Sequence, residues 1–311
     1  MSRRRAIGIA ALAVLLVALG LGGCGGSDDN ATPTATRTNP VAPPIRIGTK
    51  DFTEEFILGE LYSQALKAKG FDVVLKSNIG SSEITHQALG NGKLDMYPEY
   101  VGTLLSEVAG VTQRPSSSAA AYQLARKFEE RSGFTLLTTT PFSDSEAMAV
   151  TPFFAQRSGV ASIADLRKLK PRPKIGAPGE FSARFEGLIG LMEVYGLRHP
   201  RFRALDFNER YSSLDSGRVD VVAVFTTERQ LAGKRYVMLK DPKGLFATQH
   251  VAPIISRKVL AAHGPRLRAV IDAVSAKLTT TAMRRMNGAV DIDKRAPRDV
   301  ATEFLRSQGL L

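Results

Sequence analysis

One order of segments, strand, helix, strand, helix and strand, occurs twice along this chain. The earlier copy starts with a strand that ends at Gly48, and the later copy starts with a strand that contains Gly176. Their third strands follow Gly-Lys-Leu-Asp, ending at Asp95, and Gly-Arg-Val-Asp, ending at Asp220. Alternating strands and helices predict parallel βαβ units. We therefore predict an α/β protein of two similar lobes, each with loops and helix N-termini at the carboxyl ends of its strands.

Two segments are predicted to cross between the lobes. Pro141 to Val150 leads from the first lobe to the second, and Phe246 to Ile255 leads back. The first lobe then comprises residues 45–145 and 249–311, and the second comprises residues 146–248. Two crossings permit hinged closure of the lobes around a molecule in the cleft between them.

The N-terminus has the layout of a secretory signal. Arg3 to Arg5 precede an apolar run from Ala6 to Leu21, which is too short for a comfortable membrane span. The run leads into Leu-Gly-Gly-Cys, which looks like a bacterial lipobox. Residues 1–23 are therefore predicted to be removed, and Cys24 is predicted to carry a diacylglycerol. The alternative is an ordinary signal peptide followed by a free thiol.

The segment after the signal has the composition of a flexible linker. Residues 24–44 are rich in Gly, Ser, Asp, Thr and Pro and contain almost nothing apolar, so they cannot bury a core. We predict a disordered tether, with the folded part beginning near Ile45. With the lipid anchor, this places the mature protein on the outer face of the bacterial cytoplasmic membrane, facing a periplasm or the open exterior.

The composition fits a soluble globular protein, and the motifs in the sequence do not favour an enzyme. The formal net charge is +12, but Lys and Arg are scattered without a long run, which favours a solvated surface, or one facing anionic lipid, over a nucleic-acid site. The single cysteine excludes an intrachain disulfide, the four histidines lack metal-ligand spacing, and there is no phosphate-binding lysine loop. Ser82 and His86 lie four apart and could pair as nucleophile and base, but a capping serine beside a solvated histidine is far commoner. We predict no enzyme activity and no cofactor.

The stretch from Asp95 to Thr103 combines several features of a ligand site. Pro98 suits the first position of a helix, where no backbone N–H is needed. Tyr100 and Thr103 would then lie on one helical face, at the end where the N–H groups are free. A ring, a hydroxyl and a helix N-terminus can together hold a molecule with a cationic and an anionic part. The alternative is that Tyr97 and Tyr100 are packing residues.

Four stretches carry a family resemblance that extends from Ile45 to the C-terminus. They are Gly-Thr-Lys-Asp-Phe-Thr-Glu at 48–54, the stretch 95–103, Gly-Ala-Pro-Gly-Glu-Phe at 176–181 with Arg184, and Gly-Arg-Val-Asp-Val at 217–221. The chain resembles the osmoprotectant substrate-binding lipoproteins of ABC importers, which bind glycine betaine, carnitine or choline. The resemblance implies a type II periplasmic-binding-protein fold, with two βαβ lobes joined by two hinge crossings.

The resemblance also implies residues for each end of a zwitterionic ligand. In the family, a lysine, a threonine and an arginine hold the carboxylate, and the matching positions here are Lys50, Thr103 and Arg184. An arginine fork can bind both carboxylate oxygens, which a lysine alone cannot. The quaternary ammonium lies in a box of tyrosines, because methylated cations are attracted to aromatic faces. Tyr100 matches one wall of this box, and Phe225 matches a second wall without its hydroxyl.

The remaining two walls of the box differ from the family pattern. Glu146 replaces a third aromatic residue, Gln249 replaces the fourth, and Thr227-Glu228 stands where the family usually has threonine and aspartate. A trimethylammonium group has no N–H to donate, whereas a primary amine or a guanidinium could donate to Glu146 and Gln249. We therefore expect a zwitterion with a hydrogen-bonding cation, or a modified quaternary amine, in place of glycine betaine itself.

The resemblance implies the partners as well. We expect a monomer that binds its solute outside the cell and delivers it to an ABC permease, whose ATPase must be a separate polypeptide. The alternatives are a receptor for a different amine or amino-acid-like solute, and a ligand sensor that binds in the same way without transport.

Overall fold

The computed structural model describes residues 43–113, 115–246 and 249–311. The predicted signal peptide, the lipidation site Cys24 and the tether as far as residue 42 lie outside these ranges. Within the described ranges, no helix combines the length and the apolar character needed to cross a membrane.

The described residues form two sheets of five strands each. In chain order the strands are β1 Ile45–Gly48, β2 Val73–Lys76, β3 Met96–Tyr100, β4 Phe134–Leu136, β5 Glu146–Val150, β6 Lys174–Ala177, β7 Arg201–Ala204, β8 Val221–Phe225, β9 Val237–Met238 and β10 Val251–Ser256. The first sheet has the order β2-β1-β3-β10-β4, and the second has the order β7-β6-β8-β5-β9.

Helices surround both sheets, and several turns are tighter or wider than an α-helix. The α-helices are α1 Thr53–Ala68, α2 Ser82–Gly90, α3 Val101–Thr103, α4 Ser118–Arg131, α5 Pro152–Ser158, α6 Gly190–Glu193, α7 Arg210–Asp215, α8 Arg257–His263, α9 Pro265–Ser275, α10 Thr280–Asp291 and α11 Pro297–Ser307. Turns of 3-10 type occupy Ile163–Lys168, Gly179–Ser182, Phe207–Glu209 and Arg229–Ala232, and π-type turns occupy Leu104–Val108 and Phe185–Ile189.

The two-lobed α/β architecture is confirmed, but its sheets are mixed rather than wholly parallel. The strands β1, β2 and β3 of the first sheet pair in parallel, and so do β6, β7 and β8 of the second sheet. The crossing strands β5 and β10 run antiparallel to their neighbours. Because each crossing strand comes from the other lobe, it enters its sheet from the opposite end. The exact segment boundaries of the lobes remain a prediction.

The matching Gly-x-x-Asp segments perform the same task in both lobes. The backbone N–H of Arg46, in β1, donates to Asp95 Oδ2 at 2.8 Å. The backbone N–H of Lys174, in β6, donates to Asp220 Oδ2 at 2.8 Å. Each aspartate therefore ties the start of the lobe's third strand to the start of its first strand, which explains why this sequence occurs twice.

Each lobe has its own apolar core. In the first lobe, α1 buries Ile57, Leu58 and Leu61 between the sheet and the C-terminal helices. The hydroxyl of Tyr62, also on α1, lies 2.9 Å from Ser275 Oγ of α9. The second lobe buries a separate set of apolar side chains around β6 and β8. Because the cores are separate, each lobe can act as one body in a hinged motion.

The prediction that Pro98 starts a helix is wrong. Pro98 lies within β3, opposite Pro253 of β10. Because neither proline has an N–H, the two can face each other at a non-hydrogen-bonded pair of the antiparallel ladder. Helix α3 begins only at Val101, so Tyr100 precedes the helix instead of sharing a helical face with Thr103.

Asp51 and Glu54 have the spacing that predicts a capping box at the start of α1, but the structure does not form one. Helix α1 begins at Thr53 with Phe52 at its N-cap, and no side chain caps it. Glu54 is buried instead, where the Tyr100 hydroxyl and the Asn287 amide donate to its two oxygens at 2.7 Å each. Contacts with distant segments have therefore replaced the local cap.

The sequence between Ser182 and Gly196, the glycine expected to end the segment, predicts one helix that runs to Tyr195, but the structure interrupts it. Glu186 and Gly187 have non-helical backbone angles, and only four residues, Gly190 to Glu193, form α6. A Cβ on Gly187 would lie 2.2 Å from the backbone oxygen of Phe181. The chain therefore folds closely onto itself here, and this close approach shapes the loop that carries Arg184.

Helix α10 is an element that the sequence analysis does not predict. It buries Met283 and Met286 in the core of the first lobe. On another side it reaches the second lobe, where Arg284 Nε donates to the backbone oxygen of Thr226 at 2.7 Å. Helix α10 therefore contacts both lobes and adds residues to the cleft between them.

Candidate functional site

A cleft of about 2090 Å³ lies between the two lobes. Ligand pockets are commonly about 300–1,000 Å³, so this volume indicates an open cleft that can narrow around a small molecule. Every side chain predicted to bind ligand lines it: Lys50, Tyr100, Thr103, Glu146, Arg184, Phe225 and Gln249.

Strand ends bring these side chains together. Lys50 follows β1 and Tyr100 ends β3, so both lie at the carboxyl edge of the first sheet. In the second sheet, Glu146 at the start of β5 is paired with Phe225 at the end of antiparallel β8. Gln249 lies two residues before the return strand β10 begins. The strand order of the two lobes therefore explains why residues so far apart in the chain share one cleft.

Lys50 is already paired within the first lobe. Its ammonium lies 2.5 Å from Glu99 Oε1, 3.2 Å from Ser82 Oγ and 3.9 Å from Glu55 Oε1. It also lies 4.4 Å from the centroid of the Tyr100 ring. Burial raises the pKa of Glu55 to about 8, although the charge of Lys50 opposes this shift. Two carboxyl groups and an aromatic face therefore surround the ammonium before any ligand binds.

Tyr100 is held on three sides. Its hydroxyl donates to Glu54 Oε1 at 2.7 Å, and its backbone N–H donates to Glu99 Oε1 at 2.7 Å. The ring of Phe52 lies beside it, with centroids 6.0 Å apart. Burial, and then the charge of Glu54, raise the pKa of the Tyr100 hydroxyl well above its usual value. Tyr100 is therefore a fixed part of the cleft wall, with Lys50 near one face of its ring.

Gln249 covers the start of α3. Its Oε1 accepts from the backbone N–H of Thr103 at 3.1 Å and from the Thr103 hydroxyl at 3.3 Å. Gly102 permits this approach, because a Cβ there would lie 2.8 Å from the amide of Gln249. Since the N–H of Thr103 can only donate, the amide oxygen must face it, and the NH₂ group is left for other partners. An accepting role for Gln249 towards a ligand would require this contact to break.

Glu146 and Arg184 give the second lobe a pair of opposite charges. Burial raises the pKa of Glu146 to about 7, while the nearby charge of Arg184 opposes the shift. Arg184 is exposed, and its guanidinium makes no hydrogen bond or ion pair with any residue that the structure describes. Of the two predicted cations, Lys50 and Arg184, it is therefore Arg184 that is available to an anionic group.

Two carboxyl groups that the sequence analysis does not single out also line the cleft. Asp144 Oδ1 accepts from the Thr227 hydroxyl at 2.6 Å, and Glu54 accepts from Asn287 of α10 at 2.7 Å. Burial raises the pKa of each, and repulsion from Glu54 adds to the shift of Asp144. Asp144 lies two residues before Glu146, which is a signal that could have identified it. Asn287 could not be found, because α10 itself is not predicted.

The described residues contain no candidate metal centre, and Ser82 and His86 do not form a nucleophile–base pair. No group of three or more His, Cys, Asp or Glu side chains within these ranges could hold a metal ion. Ser82 Oγ accepts a hydrogen bond from the Lys50 ammonium, whereas His86 Nε2 lies 3.0 Å from Glu129 Oε1. Ser82 and His86 therefore have separate partners and do not form the pair that nucleophilic catalysis requires.

Comparisons with known proteins agree with this geometry. Residues 43–307 match the family model described as the substrate binding domain of an ABC-type glycine betaine transport system. A glycine-betaine-binding protein of Pseudomonas aeruginosa is 31% identical over 281 residues, which cover 87% of this chain and 89% of that protein. The ergothioneine transport permease/ergothioneine binding protein EgtU of Helicobacter pylori is 27% identical, over 86% of this chain and 48% of that protein.

A solved structure has the same fold. The crystal structure of a glycine betaine/carnitine/choline ABC transporter protein superposes with a TM-score of 0.78 at 24% identity, covering 86% of this chain and 99% of the other. At this identity, the likeness supports the two-lobed fold and not the choice of ligand.

Proposed function

We propose that this chain, which belongs to the family of substrate-binding domains of ABC-type glycine betaine transport systems, binds a small zwitterionic amine between its lobes and delivers it to a membrane permease. One observation carries the proposal: side chains of both signs from both lobes line a single open cleft. A ligand that contacts both lobes stabilises the closed form over the open form, and the permease would recognise the closed form.

Glu146 is proposed to bind the cationic end of the ligand. Its carboxyl group lies inside the cleft and makes no hydrogen bond with the residues that the structure describes. A carboxylate can accept from the N–H groups of a primary amine or a guanidinium, whereas it offers a trimethylammonium only its charge. The ligand is therefore proposed to be a zwitterion with a hydrogen-bonding cation, or a modified quaternary amine, in place of glycine betaine itself.

Arg184 is proposed to bind the anionic end. Its guanidinium can donate to both oxygens of a carboxylate, and it stands on an exposed loop of the second lobe. The NH₂ group of Gln249 is a second donor, on the opposite side of the cleft. Lys50 and Thr103 would act differently from Arg184, because they would first have to exchange the partners they now have.

Calorimetric titration of the purified protein tests the proposal. The ligands would be glycine betaine, choline, carnitine, ergothioneine, arginine and lysine. We expect the tightest binding from a compound that combines a carboxylate with a cation other than a simple trimethylammonium. Low-micromolar binding of glycine betaine would overturn the altered-ligand part of the proposal. Binding of none of these amines would overturn the whole of it.

The membrane attachment is a separate proposal. The sequence before the folded part supports a lipid on Cys24, a tether as far as Pro44 and a position on the outer face of the cytoplasmic membrane. The protein would work as a monomer with a permease and a separate ATPase subunit. Mass spectrometry of the protein from bacterial membranes should find a diacylglycerol on Cys24. The variant Cys24→Ser should no longer be found as the processed form in the membrane fraction. If the processed variant stays in that fraction in unchanged amount, the lipid anchor on Cys24 is wrong.

A further inference from the structure

Three phenylalanine rings form the second-lobe wall of the cleft. Phe185 and Phe207 are each 51% exposed, and Phe225, which also lines the cleft, is partly buried. The Phe207 and Phe225 ring centroids are 6.3 Å apart. Exposed apolar rings that cluster inside a cleft mark a surface that a ligand covers, because leaving them in water is unfavourable.

Phe207 is unusual because a buried cation lies against it. The guanidinium carbon of Arg210 lies 3.7 Å from the centroid of the Phe207 ring. Arg210 is 1% exposed, and its nitrogens donate to the backbone oxygens of Phe207 and Ala223 and to Glu228 Oε1 at 2.7–2.9 Å. Three of the five N–H groups of Arg210 are therefore occupied, and these contacts hold the guanidinium against the Phe207 ring, which it polarises.

This cation changes what the open face of Phe207 can bind. An aromatic ring attracts a cation through the negative potential of its face. The guanidinium of Arg210 on one side of the ring makes the potential of the other face less negative. A second cation on that face would also be repelled by the charge of Arg210. An electron-rich ring is instead attracted to the polarised face and can stack on it. Tyr100, in the first lobe, has an ammonium near its own ring in the same way, from Lys50 at 4.4 Å.

We propose that Phe207, backed by Arg210, forms with Phe185 and Phe225 a subsite for an electron-rich aromatic ring carried by the ligand. The cationic head of the ligand would bind at Glu146, and its ring would stack on Phe207. This inference rests on the proposed function, since it extends the same zwitterionic ligand by a planar substituent.

The test uses pairs of probes that share a head group. Calorimetry would compare glycine betaine with the trimethyl betaines of phenylalanine and tryptophan, and glycine with phenylalanine and tryptophan. We expect the tryptophan member of at least one series to bind about 3- to 10-fold tighter than the glycine member, as expected for one stacking contact. Phe207→Ala should abolish this gain and leave the glycine member within about twofold of its original affinity.

A matched control is available on α5. Phe153 is 70% exposed and has the guanidinium of Arg157 5.5 Å from its ring, but it does not line the cleft. Phe153→Ala should therefore change no affinity. Phe207→Leu, which keeps apolar area but no π system, should lose most of the gain for tryptophan.

The outcomes separate this inference from the proposed function. If small amines bind but an aromatic substituent adds no affinity, the ring subsite is wrong and the proposed function stands. The same holds if Phe207→Ala and Phe153→Ala lower tryptophan-betaine binding equally. If no probe of either series binds, and the amines of the wider panel do not bind either, both proposals are wrong.

Discussion

Glu99 compensates the charge of Lys50 inside the first lobe. The carboxylate is fully buried, and its Oε1 accepts from both the Lys50 ammonium and the backbone N–H of Tyr100. One side chain therefore fixes the position of a cation and of an aromatic wall. Removing one partner of such a buried ion pair is costly, because the charge of the other, here Lys50, is left uncompensated in the protein interior.

Removing the charge of Glu99 should therefore destabilise the protein. We expect Glu99→Gln to lower the free energy of unfolding by about 3 kcal/mol, since Glu55 at 3.9 Å compensates Lys50 only in part. Urea unfolding followed by circular dichroism measures this change. The exposed pair of Glu303 with Arg295 provides the control, because Glu303→Gln should leave stability unchanged. Equal effects of the two substitutions would contradict the role given to Glu99.

Arg184 should distinguish zwitterions from cations. We expect Arg184→Ala to lower the affinity for a carboxylate-bearing ligand about 10- to 100-fold, because a charge-assisted hydrogen bond contributes roughly 1.5–3 kcal/mol. Choline, which has no carboxylate, should lose less than about threefold. Calorimetric titration of both ligands gives the comparison, with Arg157→Ala as a control away from the cleft. A similar loss for choline would assign Arg184 a structural role.

Glu146 should make binding depend on pH. Its raised pKa of about 7 reflects burial first, with Arg184 and Arg210 lowering it and Glu186 and Glu180 raising it. Because a carboxylate binds a cation only when ionised, affinity should rise about tenfold between pH 6 and pH 8. Stability should change with pH in the opposite direction to affinity. Because the folded state favours the protonated carboxyl group, Glu146 adds to the free energy of unfolding below about pH 4.5, and this contribution is lost as the pH rises through 7. Glu146→Gln should flatten both profiles, and an unchanged affinity profile would exclude Glu146 from the site.

At the scale of elements, the same turn is built twice. In each lobe a glycine with positive φ, Gly92 at 65° and Gly217 at 69°, leads to the aspartate that ties the third strand to the first. The backbone oxygen of each glycine also accepts a hydrogen bond from a side chain at the start of the first strand. Arg46 donates to Gly92, and Lys174 donates to Gly217. A repeated local solution of this kind places two strand ends, and thus Tyr100 and Phe225, on opposite walls of one cleft.

The interrupted helix of the second lobe sets the position of the Arg184 loop. A Cβ on Gly187 would meet the backbone of Phe181 at 2.2 Å, whereas a Cβ on Gly179 would meet nothing within 4 Å. We expect Gly187→Ala to lower the free energy of unfolding by about 1–3 kcal/mol. It should also weaken zwitterion binding, because the loop must move. Gly179→Ala, in the same segment, should change neither urea unfolding nor binding, and equal effects would contradict this account.

For the whole molecule, the open cleft between two separate cores indicates closure on binding. Helix α10 contacts both lobes, through Arg284 to Thr226 and through Asn287 to Thr227 at 3.4 Å, so these contacts lie beside the crossing segments. They can persist while the outer parts of the lobes approach each other. A closed form would then bring Arg184 and Phe207 towards the first lobe.

Closure predicts a coupled change in shape and stability. A ligand at 100 times its dissociation constant should stabilise the protein by about 2.7 kcal/mol, which raises the unfolding midpoint by about 5–10 °C. The radius of gyration from X-ray scattering should decrease at the same ligand concentration. Arg184→Ala at that concentration should show smaller changes in both. Stabilisation without any decrease in the radius would contradict a hinged closure.

Local patterns in the sequence already indicate the two lobes and the alternation of strands and helices within them, whereas most of the residues that share the cleft are predicted from the family resemblance. Apolar periodicity, turn glycines and the repeated Gly-x-x-Asp segment act over a few neighbouring residues, so they can be interpreted without a structure. Those patterns could not predict the partners of the site residues. Glu99 beside Lys50, Gln249 on Thr103 and Arg210 behind Phe207 result from how elements pack, and only the tertiary structure decides which charges and ring faces remain available to a ligand.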